Sequence, residues 1–353
     1  MKAIVVEKYG GVEQLVSKDV LDPTRPEGLD ILVRVKACSV NPIDIKVRSR
    51  VYDDFPDYYE HVPKDSYQVL GYDGAGVVET VGNDVKGFKP GDEVYYSGSP
   101  IRHGSNAELQ LVDSMSVAKK PHNLSFVEAA CMPLTWITAY EALVERMEIQ
   151  PGEQAAVLIV NGAGGVGSVA SQVARQILKL PAVITTTSRP ETTDFSKRKG
   201  ATHTVNHRED IPEQISKLDL KVPLKYVFLT HSTANYLPVA TKICAPFGKI
   251  CSIVQTKDFP QYGTEMMAKS LTFVWELLGT KPWYKTDVGS HGRMLEELRQ
   301  LLEKGEVQCH HTQTLPLTAQ GLRKAHEAIE SGGSIGKNGL SVDDPGIGGQ
   351  PFA

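Results

Sequence analysis

The rhythm of apolar positions changes about a third of the way along the chain. Up to about residue 125, short apolar runs are broken by turn residues. Ile31-Leu32-Val33-Arg34-Val35 follows Gly28, Gly76-Val77-Val78-Glu79-Thr80-Val81 precedes Gly82-Asn83, and Pro90-Gly91 stands directly before another run ending at Val94. Such runs bounded by Gly, Pro and Asn predict strands. Many in succession predict an all-β domain, a closed or partly closed barrel. The opening Met1–Glu7 reads as its first strand and not as a signal peptide, because a charge arrives early and no small-residue cleavage site follows.

Beyond Leu124 the pattern becomes helical. Ser125 to Val144 has helix composition, and Ser125 with Glu128 fits a capping box. From Gln154 strands and helices alternate. Strands are predicted at 155–160, 182–187, 203–205, 226–230, 249–254 and 270–275, with helices between them, which implies βαβ units and a parallel sheet. A further helix over 289–304 carries Met294, Leu295, Leu298, Leu301 and Leu302 at helical spacing. Residues 342–353, with three Gly and two Pro, read as a loose tail. The expected organisation is a β-barrel domain from 1–125 and 276–353 around a dinucleotide-binding domain at 126–275.

Composition narrows the partners. The 353 residues carry 38 basic and 42 acidic side chains, mixed along the sequence, for a net charge of -4. No basic field exists to hold a phosphate backbone, so nucleic acid is excluded as the main partner. No apolar stretch approaches the ~20 residues of a membrane span. Cys38, Cys131, Cys244, Cys251 and Cys309 are odd in number and contain no Cys-x-x-Cys pair. Such a set implies reduced thiols and a cytoplasmic protein.

The strongest chemical signal is Val157-Leu158-Ile159-Val160-Asn161-Gly162-Ala163-Gly164-Gly165-Val166-Gly167. A buried-type strand runs into Gly-x-Gly-x-x-Gly and then a helix, with Val166, Val169, Val173 and Ile177 spaced along one face. Gly162 is expected to permit the tight turn, Gly164 to let a pyrophosphate approach, and Gly167 to seat the helix on the strand. Gly165 and Val166 open the helix whose N–H groups and dipole receive the anion. NAD sites place a carboxylate ~20 residues past the glycines. Here Thr187-Ser188-Arg189 stands instead, Ser188 lying 21 residues beyond Gly167. A hydroxyl and a guanidinium suit a 2′-phosphate, so the expected cofactor is NADPH.

Several segments resemble the medium-chain dehydrogenase/reductase superfamily. Val40-Asn41-Pro42-Ile43-Asp44, Gly71-Tyr72-Asp73-Gly74-Ala75-Gly76 and Leu134-Thr135-Trp136-Ile137-Thr138 look like its quinone oxidoreductase branch. Gly104-Ser105-Asn106-Ala107-Glu108, Ser188-Arg189-Pro190-Glu191-Thr192 and Lys269-Ser270-Leu271 resemble the subgroup of zinc-type alcohol dehydrogenase-like proteins. The resemblance implies an α/β fold, a GroES-like β-barrel catalytic domain joined to a Rossmann doubly wound parallel sheet. It also implies cofactor contacts from Asn41 and Thr135, besides the glycine turn, Ser188 and Arg189.

Zinc-dependent relatives carry Cys in the first motif and Gly-His-Glu in the second. This sequence has Asn41, Tyr72 and Asp73 there, and no Cys between Tyr95 and Val117. Catalytic zinc needs three protein ligands. The spacing of His61, His103 and Cys38 suggests no substitute, and His310-His311 beside Cys309 would point to opposite faces of a strand. The expected site is therefore zinc-free. Without a Lewis acid the suitable acceptor is an activated one, a quinone or enone that takes hydride at carbon. The resemblance assigns catalytic roles to Asn41, orienting the carbonyl or ribose, and to Tyr52, supplying a proton or hydrogen bond. Tyr72 is expected to fill the space left by the ion, and Asp44 to be a structural acceptor. A zinc-dependent alcohol dehydrogenase and a non-catalytic NADPH sensor are the competing readings. The edge strand 269–275 predicts a homodimer.

Overall fold

The computed structural model describes residues 1–53, 55, 58–61, 66–258, 263–343 and 350–353, without the side chains of Glu60 and His61. The chain forms two compact units, Met1–Leu134 with Gly279–Ala353, and Thr135–Leu278.

The first unit is β-rich. One sheet runs in the order His311–Pro316, Lys337–Ser341, Asp30–Ser39, Asp73–Val81, Glu93–Ser97 and Val117–Lys119, with Leu109–Asp113 also paired to Asp30–Ser39. A second, of three strands, sets Lys2–Val6 between Leu15–Asp19 and Gln68–Val69. Alternate residues of the long strand Asp30–Ser39 are buried over much of its length, as the sequence rhythm requires. The helix Gly289–Glu303 lays Met294, Leu295, Leu298 and Leu302 inward. It is tied to the sheet where Tyr95 donates its hydroxyl to the Leu295 carbonyl at 2.5 Å.

Two expectations, the domain border and the loose tail, need correction here. The stretch after Ser125 is helical, as its composition predicts, and is broken once. The Ser125–Glu128 box starts Phe126–Ala130, and a new helix begins at Pro133, whose ring disfavours helix at the preceding residue. Phe126–Ala130 packs on Asp30–Ser39 and Asp73–Val81, so residues 126–134 belong with the barrel unit and not with the later domain. The far tail is anchored: Phe352 is buried, its N–H bonds the Leu317 carbonyl at 2.7 Å, and Ala319 N–H bonds the carbonyl of Ala353. Residues 344–349 lie outside the described ones.

The second unit is a six-stranded parallel sheet. Its order is His203–Asn206, Ala182–Thr187, Ala156–Ile159, Leu224–Leu229, Lys249–Ser252, Thr272–Trp275. In sequence terms that is third, second, first, fourth, fifth, sixth, the doubly wound dinucleotide-binding order. The central strand Ala156–Ile159 is buried at every residue, which explains why it reads as a continuous apolar run. The five cysteines are free thiols, all buried except the half-buried Cys309. Among the described residues, no helix is long and apolar enough to cross a membrane.

Candidate functional site

In the second unit the strand Ala156–Ile159 delivers the chain to a turn held by its neighbour. Asn161 N–H donates to Thr186 Oγ1 at 2.8 Å and Gly162 N–H to the Thr186 carbonyl at 3.1 Å. The left-handed residue is Asn161, with φ of 60°. Asparagine tolerates that region, so Gly162 does not supply the turn as expected. Its role is close packing, because a Cβ there would stand 2.3 Å from the Thr185 side chain. Gly167 does seat the helix, since a Cβ would fall 2.1 Å from the Asn161 carbonyl oxygen.

Gly164 differs from both. A Cβ there would crowd the end of the Asn161 amide, at 2.6 Å, and touch the backbone only at 3.4 Å, an ordinary contact, so packing within the protein demands a glycine far less than at Gly162 or Gly167. The helix Gly165–Gln172 begins directly afterwards, with Gly165, Val166 and Gly167 in its first turn, where N–H groups have no partner inside the helix. The turn therefore fits a pyrophosphate.

Ser188 and Arg189 follow the adjacent strand Ala182–Thr187, both half-buried. Arg189 N–H is taken by Thr192 Oγ1 at 3.1 Å, but its guanidinium makes no ion pair or side-chain hydrogen bond among the described residues. Arg189 is also the residue from which the nine-residue helix Pro190–Arg198 starts. A cation at that end opposes the helix dipole, and a bound phosphate would relieve the conflict. Nearby, His207 is held below the ordinary imidazole range by partial burial and by the charges of Arg208, His231 and Arg189. The charges of Arg189 and Arg208 thus both act on His207. Thr135 lies buried on the helix Pro133–Tyr140.

The first unit holds a different constellation. Asn41 starts the helix Pro42–Arg48 and is 1% exposed. Its Nδ2 donates to Asp73 Oδ2 at 2.8 Å, and a carboxylate only accepts, which fixes the amide orientation. The Asn41 Oδ1 is consequently a buried acceptor with no partner. Asn41 thus presents an open acceptor at Oδ1, and one of its two Nδ2 protons is committed to Asp73.

Asp73, fully buried, also accepts from Ser39 Oγ at 2.8 Å, from Leu134 N–H at 2.7 Å and from Lys337 Nζ at 3.3 Å. Burial raises its carboxyl pKa against the pull of Lys337 and these donors. Asp44 takes the N–H groups of Asn41 at 2.8 Å and Gly71 at 2.9 Å. Burial pushes its carboxyl up to about 7 all the same. It is the structural acceptor foreseen, with a perturbation the sequence did not signal.

Tyr52 is half-buried and packs its ring on Tyr58, centroids 4.8 Å apart. Tyr58 stacks on Trp283 at 5.4 Å and 11°, and its hydroxyl lies 3.4 Å from that of Tyr72. The structure thus gathers Asn41 with Asp73 and Lys337, and Tyr52 with Tyr58 and Tyr72. Lys337, from the returning strand Lys337–Ser341, is the member of this cluster with no sequence signal: a single lysine following Gly336. His310 is buried beside Met132, apart from His311, whose ring bonds Thr314. No group of three His, Cys, Asp or Glu among the described residues is arranged to hold a metal, and the His61 side chain is outside that set.

Comparison with known proteins bears on both halves. The alcohol dehydrogenase GroES-like domain model matches residues 27–122, and the zinc-binding dehydrogenase model residues 199–338. A zinc-type alcohol dehydrogenase-like protein of Staphylococcus aureus is 40% identical over 323 residues, 90% of this chain and 92% of that protein. The 2-methylene-furan-3-one reductase of Solanum lycopersicum is 30% identical, covering 96% of this chain and 78% of its own. Among solved structures, the Escherichia coli quinone oxidoreductase complexed with NADPH has a TM-score of 0.81 at 25% identity, covering 97% of this chain and all of the other. A glycine turn on a doubly wound sheet, a GroES-like β-unit and relatives of this similarity lead to one conclusion: the chain is an oxidoreductase of the medium-chain dehydrogenase/reductase superfamily, among its quinone oxidoreductase-like members.

Proposed function

We propose that the protein is an NADPH-dependent reductase that passes hydride to a quinone, an enone or a related activated acceptor, without catalytic zinc. One observation carries the reading. Asn41 and Tyr72 stand where the resemblance puts the Cys and His metal ligands of zinc-dependent relatives, and Asp73, at the Glu of their Gly-His-Glu, accepts from Lys337, Ser39, Asn41 and Leu134 N–H. An amide and a phenol thus replace the two ligands, and a buried ammonium ion already pairs with the carboxylate beside them. The relative named as an NADPH-dependent alkenal/one oxidoreductase of Arabidopsis thaliana, 30% identical over 345 residues, supports the substrate class.

When bound, the reduced nicotinamide supplies the hydride. The protein's share is positional. The Gly164 turn accepts the pyrophosphate, Ser188 and Arg189 the 2′-phosphate, and Thr135 and Asn41 Oδ1 complete the hold on the cofactor. Tyr52 and its aromatic neighbours offer flat faces to a planar acceptor. The test is a panel of quinones, enones and simple alcohols run with NADPH and with NADH, alongside metal analysis of the purified protein. NADPH oxidation that depends on quinone or enone, in protein free of zinc, is the expected result. Stoichiometric zinc with alcohol oxidation would replace this reading by the alcohol dehydrogenase one. Cofactor binding without turnover on any acceptor would leave a sensor.

Arg189→Ala is expected to weaken NADPH much more than NADH. Loss of charge-assisted contacts of ~1.5–3 kcal/mol corresponds to about 10- to 150-fold in Kd. Equal effects in fluorescence titrations of the two cofactors would remove Arg189 from the 2′-phosphate.

The dimer proposal rests on the edge strand. Thr272–Trp275 is the last of its sheet, and Trp275 is 43% exposed. Strand pairing across a two-fold axis would close after two copies. Light scattering at micromolar concentration should give a dimer mass, reduced to a monomer by Phe273→Pro. A monomer in the parent, or an unchanged dimer in the folded variant, would refute the interface.

A further inference from the structure

An acceptor that gains negative charge on oxygen needs a hydrogen-bond donor with a proton to spare. In the buried cluster of the first unit most protons are committed. Lys337 Nζ has three protons and three acceptors: Ser39 Oγ at 2.6 Å, the Val40 carbonyl at 2.7 Å and Asp73 Oδ2 at 3.3 Å. Ser39 Oγ donates to Asp73 Oδ2, Ser105 Oγ to the Asp73 carbonyl, and Cys38 Sγ to Asn106 Oδ1. The Asn41 amide donates one of its two Nδ2 protons to Asp73 and presents its oxygen as an open acceptor.

Tyr58 and Tyr72 are different. Their hydroxyls share a single hydrogen bond at 3.4 Å, so two O–H groups satisfy one contact. One proton of the pair has no acceptor among the described residues. We propose that this phenol pair protonates the acceptor oxygen, with Tyr58 as the catalytic donor and Tyr72 as the positioning residue behind it. The proposal rests on the reductase reading above.

The packing orders the two. Tyr58 adjoins Tyr52 at 4.8 Å, Tyr59 at 5.1 Å and Trp283 at 5.4 Å, all half-buried, and Phe55 at 6.1 Å, which is 38% exposed. Both tyrosines are buried in one core cluster, but Tyr58 carries the ring contacts that lead outward through Tyr52, Tyr59 and Trp283 to Phe55, whereas Tyr72 stands behind it at the position of the metal-binding His of zinc-dependent relatives. Burial raises both phenol pKa values, which keeps them protonated at neutral pH. As charge develops on the acceptor oxygen, the Tyr58 O–H bond breaks and a new O–H bond forms there. The electron pair stays on Tyr58 as phenolate, Tyr72 O–H donates to it, and water returns the proton.

The test compares Tyr58→Phe and Tyr72→Phe with the parent protein on an enone and on 1,4-benzoquinone. An enolate is much more basic than a hydroquinone oxyanion, so it depends more on protonation. Tyr58→Phe should lower kcat for the enone by about 100-fold, Tyr72→Phe by about 10-fold, and both should lower benzoquinone turnover far less. NADPH Kd by fluorescence should be unchanged, since both rings and their packing remain. Equal losses on the two acceptors would show a merely structural role and overturn the proposal, as would full enone activity in Tyr58→Phe. A parent protein inactive on every quinone and enone would instead overturn the reductase reading, and this proposal with it.

Discussion

Lys337→Ala should destabilise the protein by about 3–5 kcal/mol, because it leaves a charged partner buried and unpaired. Asp73 has no exposed surface and Lys337 is 4% exposed, so solvent cannot compensate. The loss should depend on pH. Burial already raises the Asp73 carboxyl, and without the ammonium it rises further above its unfolded value near 3.9. The folded variant then holds a proton that the unfolded chain releases. Stability is fully present below the unfolded pKa and declines as pH rises through the folded one. Urea denaturation should therefore show a larger deficit at pH 8 than at pH 5. The double variant Asp73→Asn with Lys337→Met should recover much of the loss, since it removes both charges. A deficit below about 1 kcal/mol, independent of pH, would put the pair in solvent and remove it from the core.

That ion pair also marks where sequence reasoning stops. Asp73 stood out because it occupies a motif position, but its partner lies 264 residues away on a strand that returns after the second unit. Side-chain periodicity reports which face of a strand is buried, not which strand lies next to it. The six parallel strands were legible for the complementary reason. Burial on both faces makes the central strand Ala156–Ile159 a continuous apolar run, and the outer strands His203–Asn206 and Thr272–Trp275, only partly buried, were legible from their spacing between helices.

The domain border was less legible. Composition and the Ser125–Glu128 box announce a helix correctly, yet neither says which sheet will cover its apolar side. Asp44 shows the same limit in electrostatics. It reads from the sequence as a structural acceptor because nothing there implies a raised pKa, yet complete burial, which depends on the whole fold, raises it. Tyr58 and Tyr72 could each be read from the sequence as aromatic residues near a site. Only their O–O approach makes them a pair with a proton to spare.

Gly164→Val should abolish NADPH binding, weakening it by at least about 100-fold, or ~2.7 kcal/mol, while the protein stays folded. The two halves of that expectation have separate physical grounds. Binding fails because the valine would stand where the pyrophosphate approaches the first turn of Gly165–Gln172, whose N–H groups hold the anion. Folding survives because the added Cβ crowds only the end of the Asn161 side chain and makes ordinary contact, at 3.4 Å, with the Asn161 carbonyl oxygen, and because Gly164 has φ of -76°, which any residue adopts. Gly167→Ala makes the opposite case. There a Cβ would lie 2.1 Å from a backbone carbonyl oxygen, so the helix must shift and stability must fall. Thermal melts and NADPH fluorescence titrations on the two variants should give crossed results. Gly164→Val should keep its Tm and lose the cofactor, whereas Gly167→Ala should lose Tm first. If Gly164→Val bound NADPH normally, the turn would not be the pyrophosphate site, and if it failed to fold, Gly164 would be serving the protein's own packing instead of a ligand.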